Sequence, residues 1–224
     1  MSENEALRRI RAVIDRLVHD GKAVAHSDGS AHDIFPVAVN AAEGKALRTC
    51  ILEEKAVNTI EIGLGYGISA LFICEALLMG GERNAHHVAI DPYQARGFKN
   101  CGIQFLEEAG VANMVEHHAD ESQIVLPRFV SENRRFDFAF VDGSHLFDRV
   151  FLDLIYLGRL LVPGGIVFAD DYQLPSVSRA ISFCLRNLGW TLEAASPSDE
   201  HHQWVVMRMP QEPPPRAFPH FVDF

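Results

Sequence analysis

Thr59-Ile60-Glu61-Ile62-Gly63-Leu64-Gly65-Tyr66-Gly67-Ile68-Ser69 is the stretch on which the fold turns. An apolar strand runs straight into three alternating glycines, and a helix-periodic segment follows. Glycines at such a junction permit a tight turn and let a ligand approach the backbone. Twenty-four residues past Gly67, the next apolar run ends in Ala89-Ile90-Asp91-Pro92. In a doubly wound sheet both strand ends open onto one crevice, where Asp91 can accept hydrogen bonds from a ribose diol.

The same alternation continues in both directions. Val57 to Ile62, His87 to Ile90, Met114 to His118, Phe136 to Val141 and Gly165 to Ala169 read as strands. Between them Ile68 to Met79, Gly97 to Ala109, Ser122 to Ser131 and Leu146 to Leu161 read as helices. Strands that are apolar throughout, separated by helices, imply a parallel sheet covered on both faces. After a helix near Ser176 to Leu188, Trp190 to Ala195 and Gln203 to Met209 suit an antiparallel pair at one sheet edge, joined by Ser196 to His202. The expected fold is α/β, doubly wound, with a mainly parallel seven-stranded sheet.

Ahead of this core, Leu7, Ile10, Ile14, Leu17 and Val18 recur at helical spacing between arginines, which predicts a surface helix from Glu3 to Asp20. His26 to Asp33 reads as a mobile polar loop, a candidate lid, and a second helix covers Ala41 to Glu54. The tail from Pro210 holds five of the eleven prolines and should be extended. The expected organisation is a helical cap and loop over 1–56, a binding domain over 57–209, and a Pro-rich tail over 210–224.

Composition narrows the function. Lys plus Arg against Asp plus Glu gives 20 − 30 = −10, and there is no basic run, which argues against a nucleic-acid or anionic-membrane surface. No apolar segment reaches the roughly 18 residues of a membrane span. Met1 to Glu5 is polar and acidic, unlike a secretion signal. Cys50, Cys74, Cys101 and Cys184 form no close pair, so a reducing cytoplasm is expected.

Two further strands end in carboxylate. One is Phe136-Asp137-Phe138-Ala139-Phe140-Val141-Asp142, followed by Gly143-Ser144-His145; the other is Gly165-Ile166-Val167-Phe168-Ala169-Asp170-Asp171. Neighbouring strands lie about 4.8 Å apart, so Asp142, Asp170 and Asp171 should converge. Three carboxylates there repel one another or take up protons unless a cation compensates. Oxygen-only donors favour a hard ion such as Mg²⁺. His145 stands where the next helix begins, and a helix N-terminus disfavours imidazolium, so a neutral ring able to accept a proton is expected. The other histidines, His201-His202 among them, read as ordinary solvated or core residues.

A nicotinamide site wants Gly-x-Gly-x-x-Gly, and Ile68 stands where the last glycine should be. The acidic-x-Gly-x-Gly-x-Gly pattern from Glu61 to Gly67 instead resembles motif I of the class I S-adenosylmethionine-dependent methyltransferases. More narrowly, Asp142-Gly143-Ser144-His145 resembles the signature of the metal-dependent small-molecule O-methyltransferases. That resemblance implies methyl transfer from S-adenosylmethionine to a hydroxyl oxygen of a small molecule. It further implies Mg²⁺ held by Asp142, Asp170 and Asp171, and His145 as the base. For the cofactor it implies Val39 at the methionine end and Glu61, Gly63, Gly65, Gly67, Ser69 and Asp91 around the loop. Glu121 and Ser122 would lie on the adenine side, and Asp142 would also lie beside the cofactor. A homodimer is compatible with it. The competing readings are a non-catalytic or differently specific S-adenosylmethionine-binding protein and, further off, a nicotinamide-dependent oxidoreductase.

Overall fold

The computed structural model describes residues 3–197, 202–215 and 217–224. The chain forms two compact units, residues 1–121 and 122–224. The first holds α1 (Glu3–Asp20), β1 (Lys22–Val24), β2 (Ala31–Asp33), α2 (Ala41–Glu54), β3 (Asn58–Ile62), α3 (Ile68–Gly80), β4 (His86–Ile90), α4 (Cys101–Ala109) and β5 (Val115–His118). The second holds α5 (Ser122–Ser131), β6 (Phe136–Val141), α6 (Phe147–Leu160), β7 (Leu161–Ala169), α7 (Pro175–Asn187), β8 (Thr191–Ala195) and β9 (Val205–Arg208). The seven strands β3 to β9 make the mainly parallel sheet with antiparallel edge strands that the alternation predicts.

In the first unit the order is β5-β4-β3, every pairing parallel. Ile60, Val88 and Ala89 are fully buried, which is what apolar strands covered by helices require. Helix α3 has no polar face: Ile68 to Leu77 are all buried, and its one acid, Glu75, is neutralised by Arg11 of α1 at 2.6 Å and Arg48 of α2 at 2.8 Å. Helix α1 buries the stripe Ala6, Ile10, Val13, Ile14 and Leu17. Asn40 caps α2 by accepting from the N–H groups of Ala42 and Glu43.

Residues 26–33 are not a loop throughout, which corrects the sequence reading. Ala31 to Asp33 pair antiparallel with Lys22 to Val24. The turn between them is closed by Asp28, whose carboxylate accepts from the Ser30 N–H at 3.0 Å, while Gly29 supplies a φ of 72°. The helix expected from Gly97 starts only at Cys101, because Lys99 and Asn100 adopt left-handed φ values of 51° and 59°.

In the second unit the order is β6-β7-β9-β8, parallel across β6 and β7 and antiparallel beyond. Strand β7 begins four residues earlier than expected, at Leu161. Pro163 and Gly164 are absorbed by a register shift against β6 between Phe136 and Phe138. The middle of the link between β8 and β9, residues 198–201, lies outside the described residues. From Pro210 on, the described residues form neither helix nor strand. The end of the tail is nonetheless tied down: Asn187 exchanges two 2.8 Å hydrogen bonds with the Val222 backbone, and the Phe224 ring meets Phe183 edge-on. Trp190 is buried core. Trp204 packs on Phe168 at 4.8 Å.

Asp153 on α6 is buried with one carboxyl oxygen lacking a hydrogen-bond partner. Burial raises its pKa to about 7, although a hydrogen bond to Ser122 and the charge of Arg149 pull the other way. A carboxyl held above its ordinary value keeps its proton in the folded state after the unfolded chain has lost it. Its contribution to stability therefore falls as pH rises from about 4 through 7. Asp153→Asn should remove that slope and make the protein more stable than wild type at pH 8, by at most about 4 kcal/mol. Urea denaturation at pH 5 and pH 8 measures it; equal slopes for both proteins would contradict the assignment. Among the described residues no helix is long and apolar enough to cross a membrane.

Candidate active site

The first unit builds a glycine loop between β3 and α3. Gly63, Gly65 and Gly67 have φ values of 99°, 51° and 80°, a left-handed series that side chains resist. The Gly65 N–H donates to Asp91 Oδ2 at 2.8 Å, so the acid ending β4 is fastened to the loop. Gln94 locks the same corner, its Nε2 donating to Gly65 O at 2.7 Å and to Asp91 Oδ2 at 2.9 Å. The Tyr93 N–H donates to Asp91 Oδ1 at 2.7 Å. A carboxylate offers about four acceptor sites. Three donors of the chain itself already engage Asp91.

Gln94 was not singled out in the sequence, although its place three residues after Asp91 on a tight turn was the available signal. Glu61 and Ser69 face each other beneath the loop, both buried, with Ser69 Oγ donating to Glu61 Oε2 at 2.8 Å. His87, read as ordinary, stands 3.1 Å from Glu61 Oε1 in a geometry that is not a hydrogen bond, and its Nδ1 meets Thr59 Oγ1 at 2.9 Å. Val39 is buried just before α2. Glu121 ends the first unit, and Ser122 opens α5 with its hydroxyl on Asp153.

The three glycines are not equivalent. A Cβ on Gly67 would lie 2.9 Å from Gly102 Cα and 3.0 Å from Gly102 O on α4, whereas one on Gly65 meets nothing nearer than 3.9 Å. Gly67→Ala should therefore cost about 2–4 kcal/mol, backbone strain and overpacking together. Gly65→Ala carries the backbone cost alone, about 1 kcal/mol. Chemical denaturation of the two variants checks the order; equal losses would mean that α4 yields to the methyl group.

The second unit places Asp142 after β6 and Asp170 and Asp171 after β7. The two strand ends are joined by the Asp170 N–H donating to Val141 O at 3.0 Å. Asp171 sits at a left-handed φ of 57°, with its N–H on Asp170 Oδ1 at 2.7 Å. His145 Nε2 lies 2.8 Å from Asp171 Oδ2 and 3.7 Å from Asp142 Oδ1. His145 is 45% exposed, and its carbonyl accepts from Ser176 Oγ at 2.6 Å. Two donor groups result, Asp142-His145-Asp171 and Asp170-Asp171-His202, with the ligand atoms of each within 4.8 Å of one another. Asp171 is common to both.

Asp142 is pushed up to about 7, by burial first and then by the charges of Asp170 and Asp171, with His145 opposing. Burial likewise acts to raise Asp171, but its hydrogen bond to His145 and that ring's charge bring it below the ordinary carboxylate value. Asp142 and Asp171 together raise His145 to about 10. A shift of that size favours the charged ring. The neutral ring expected beside a helix N-terminus is corrected, because two carboxylates outweigh the helix end. Crowded acids that hold a proton between them are the donor chemistry that a divalent cation satisfies.

His202 was missed. It lies thirty-one residues after Asp171, and only the antiparallel return of β9 brings it back, so no local spacing could have marked it.

A glycine loop fastened to an acid, in a mainly parallel sheet whose strands β6 and β7 run into acids, is an arrangement that fits the methyltransferase class. The methyltransferase-domain family matches residues 60–172, just over half of the chain, and the chain belongs to that family. Caffeoyl-CoA O-methyltransferase 1 of Arabidopsis thaliana is 29% identical over 129 residues, covering 54% of this chain and 48% of the relative. Caffeoyl-CoA O-methyltransferase of Populus kitakamiensis is 28% identical over 131 residues, 58% of this chain and 52% of the relative. The chain spans about half the length of the curated relatives it matches. The fold is shared with the O-methyltransferase TomG of Streptomyces achromogenes, solved with S-adenosylmethionine, at a TM-score of 0.68 and 21% identity over 92% of this chain and 90% of that one. An O-methyltransferase of Bacillus cereus, solved with S-adenosylhomocysteine, gives 0.66 and 15% over 91% and 90%.

Proposed function

We propose that this chain transfers the methyl group of S-adenosylmethionine to a hydroxyl oxygen of a small molecule, with a divalent cation at Asp142, Asp170 and Asp171 and His145 as base. The observation that carries this reading is His145 hydrogen-bonded to Asp171 beside Asp142, a base and acids gathered at two strand ends. Gly63, Gly65 and Gly67 offer backbone to the cofactor, and Asp91 has an acceptor site left for a ribose hydroxyl. Val39 serves the methionine end, and Glu121 and Ser122 the adenine side. Glu61 and Ser69, being buried, support the loop from below. Asp142 is assigned to the cation and, by the same reading, to the cofactor.

When bound, the cation supplies Lewis acidity that lowers the pKa of the acceptor hydroxyl, and the sulfonium supplies an activated methyl group. With Asp142 and Asp171 engaged, their charge no longer holds a proton on His145, and the ring can accept one from the hydroxyl. The carbon–sulfur bond breaks as the carbon–oxygen bond forms, and a neutral thioether departs. Alignment supplies much of the rate, on the order of 7 kcal/mol.

The net charge of −10 suits a small acceptor rather than a nucleic acid. Four cysteines outside any disulfide, three of them buried, suit the cytoplasm. The test is incubation with S-adenosylmethionine, Mg²⁺ or Mn²⁺ and vicinal dihydroxy compounds able to chelate a cation, read by mass spectrometry. A methylated product that disappears with EDTA is expected. Product formation unaffected by EDTA would remove the cation from the mechanism, and failure to bind S-adenosylhomocysteine would remove the reaction itself.

A further inference from the structure

The two oxygens of Asp171 face two different histidines. Oδ2 accepts from His145 Nε2 at 2.8 Å, whereas Oδ1 lies 3.8 Å from His202 Nδ1. The first distance is a hydrogen bond and the second is not. Yet 3.8 Å is a separation that two donors of one ion adopt, since each bond is roughly 2.1 Å long.

His202 is held at that place by backbone. The Tyr172 N–H donates to Gln203 O at 2.6 Å, and the Gln203 N–H donates to Gln173 Oε1 at 2.8 Å. The other end of the same amide, Gln173 Nε2, donates to Asp171 Oδ1 at 2.7 Å. One glutamine thus fixes both a carboxylate oxygen and the peptide beside the imidazole. One residue further on, the Trp204 N–H donates to Ser196 Oγ at 3.0 Å, which anchors the start of β9. A half-exposed histidine followed by two residues whose backbone is tied in place, near two acids that are each less than 10% exposed, is a placed donor.

We infer that His202 is a nitrogen ligand of the cation held by Asp170 and Asp171, and that it turns an oxygen-only Mg²⁺ site into a mixed site favouring first-row transition ions. The inference rests on the metal reading proposed above and sharpens it by naming the ion class. Carboxylates alone suit Mg²⁺, whereas imidazole adds affinity for Fe²⁺, Co²⁺ and Zn²⁺ and little for Mg²⁺. It also separates the two histidines by role: His145, on the other oxygen of Asp171, is left for proton transfer.

The test is calorimetric titration of EDTA-stripped wild type, His202→Ala, His202→Gln and Asp170→Asn with Co²⁺ and with Mg²⁺, alongside visible absorption of the Co²⁺-loaded proteins. Both His202 variants should lose about 10- to 100-fold in Co²⁺ affinity. Their Mg²⁺ affinity should stay within about threefold, and their Co²⁺ bands should shift as a nitrogen donor is lost. Asp170→Asn should weaken both ions, which places the Co²⁺ at this cluster rather than at another histidine. Co²⁺ and Mg²⁺ affinities that change by one common factor, or not at all, overturn the His202 assignment and leave the metal site standing. A wild type that binds neither ion overturns both. Unaltered circular dichroism of the variants excludes misfolding as the cause.

Discussion

His145→Ala is expected to lower turnover by roughly 10²- to 10⁴-fold, the range of a general base, while S-adenosylhomocysteine affinity stays within about twofold. The imidazole is half-exposed and contributes nothing to the core. The tie from Ser176 Oγ to the His145 carbonyl survives truncation. Because truncation also removes the charge facing Asp142 and Asp171, circular dichroism of the variant establishes that it is folded before turnover is compared. Single-turnover methyl transfer with calorimetry of the product complex separates the two quantities. Turnover within a few-fold of wild type would remove the base role from His145.

Asp171→Asn is the second large effect. Asp171 is the acid shared by both donor groups, and it approaches His145 more closely than Asp142 does, at 2.8 Å against 3.7 Å. Asparagine fits the left-handed φ of 57° and can still take up the Gln173 amide, so the backbone has no reason to move. What goes is a charge: cation affinity should fall at least about tenfold. Turnover should fall with it, and the hold on the His145 proton should weaken. Calorimetry with Mn²⁺ and the pH dependence of turnover measure both. A variant that binds Mn²⁺ like wild type would mean that Asp142 and Asp170 suffice, and would leave Asp171 as an orienting partner of His145 alone.

The strand, glycine loop and helix around Gly63 to Gly67 were legible because three constraints coincide there: an uninterrupted apolar strand, glycine where φ is positive, and an acid ending the next strand. The acids ending β6 and β7 were legible for the same local reason, since an apolar run that stops in carboxylate needs no partner to be noticed. The hairpin β1–β2 was not, because strands of three residues carry too little alternation to stand out from a polar loop. His87 and His202 were out of reach for another reason. Each works through a partner whose position only the folded chain defines: Thr59 on the neighbouring strand, and Asp171 across an antiparallel edge. The protonation of His145 was misjudged because the helix end is visible in the sequence, and the 2.8 Å approach of Asp171 is not.

The central claim is a cation-assisted methyl transfer, and its most direct measurement is Mn²⁺ titrated calorimetrically into EDTA-stripped protein saturated with S-adenosylhomocysteine. Mn²⁺ suits oxygen-only and mixed donor sets alike. One-site binding in wild type that is lost in Asp170→Asn is the predicted result. No Mn²⁺ binding, with S-adenosylhomocysteine demonstrably bound, would contradict the claim, leaving a methyl-donor fold whose chemistry has to be carried by His145 without a cation.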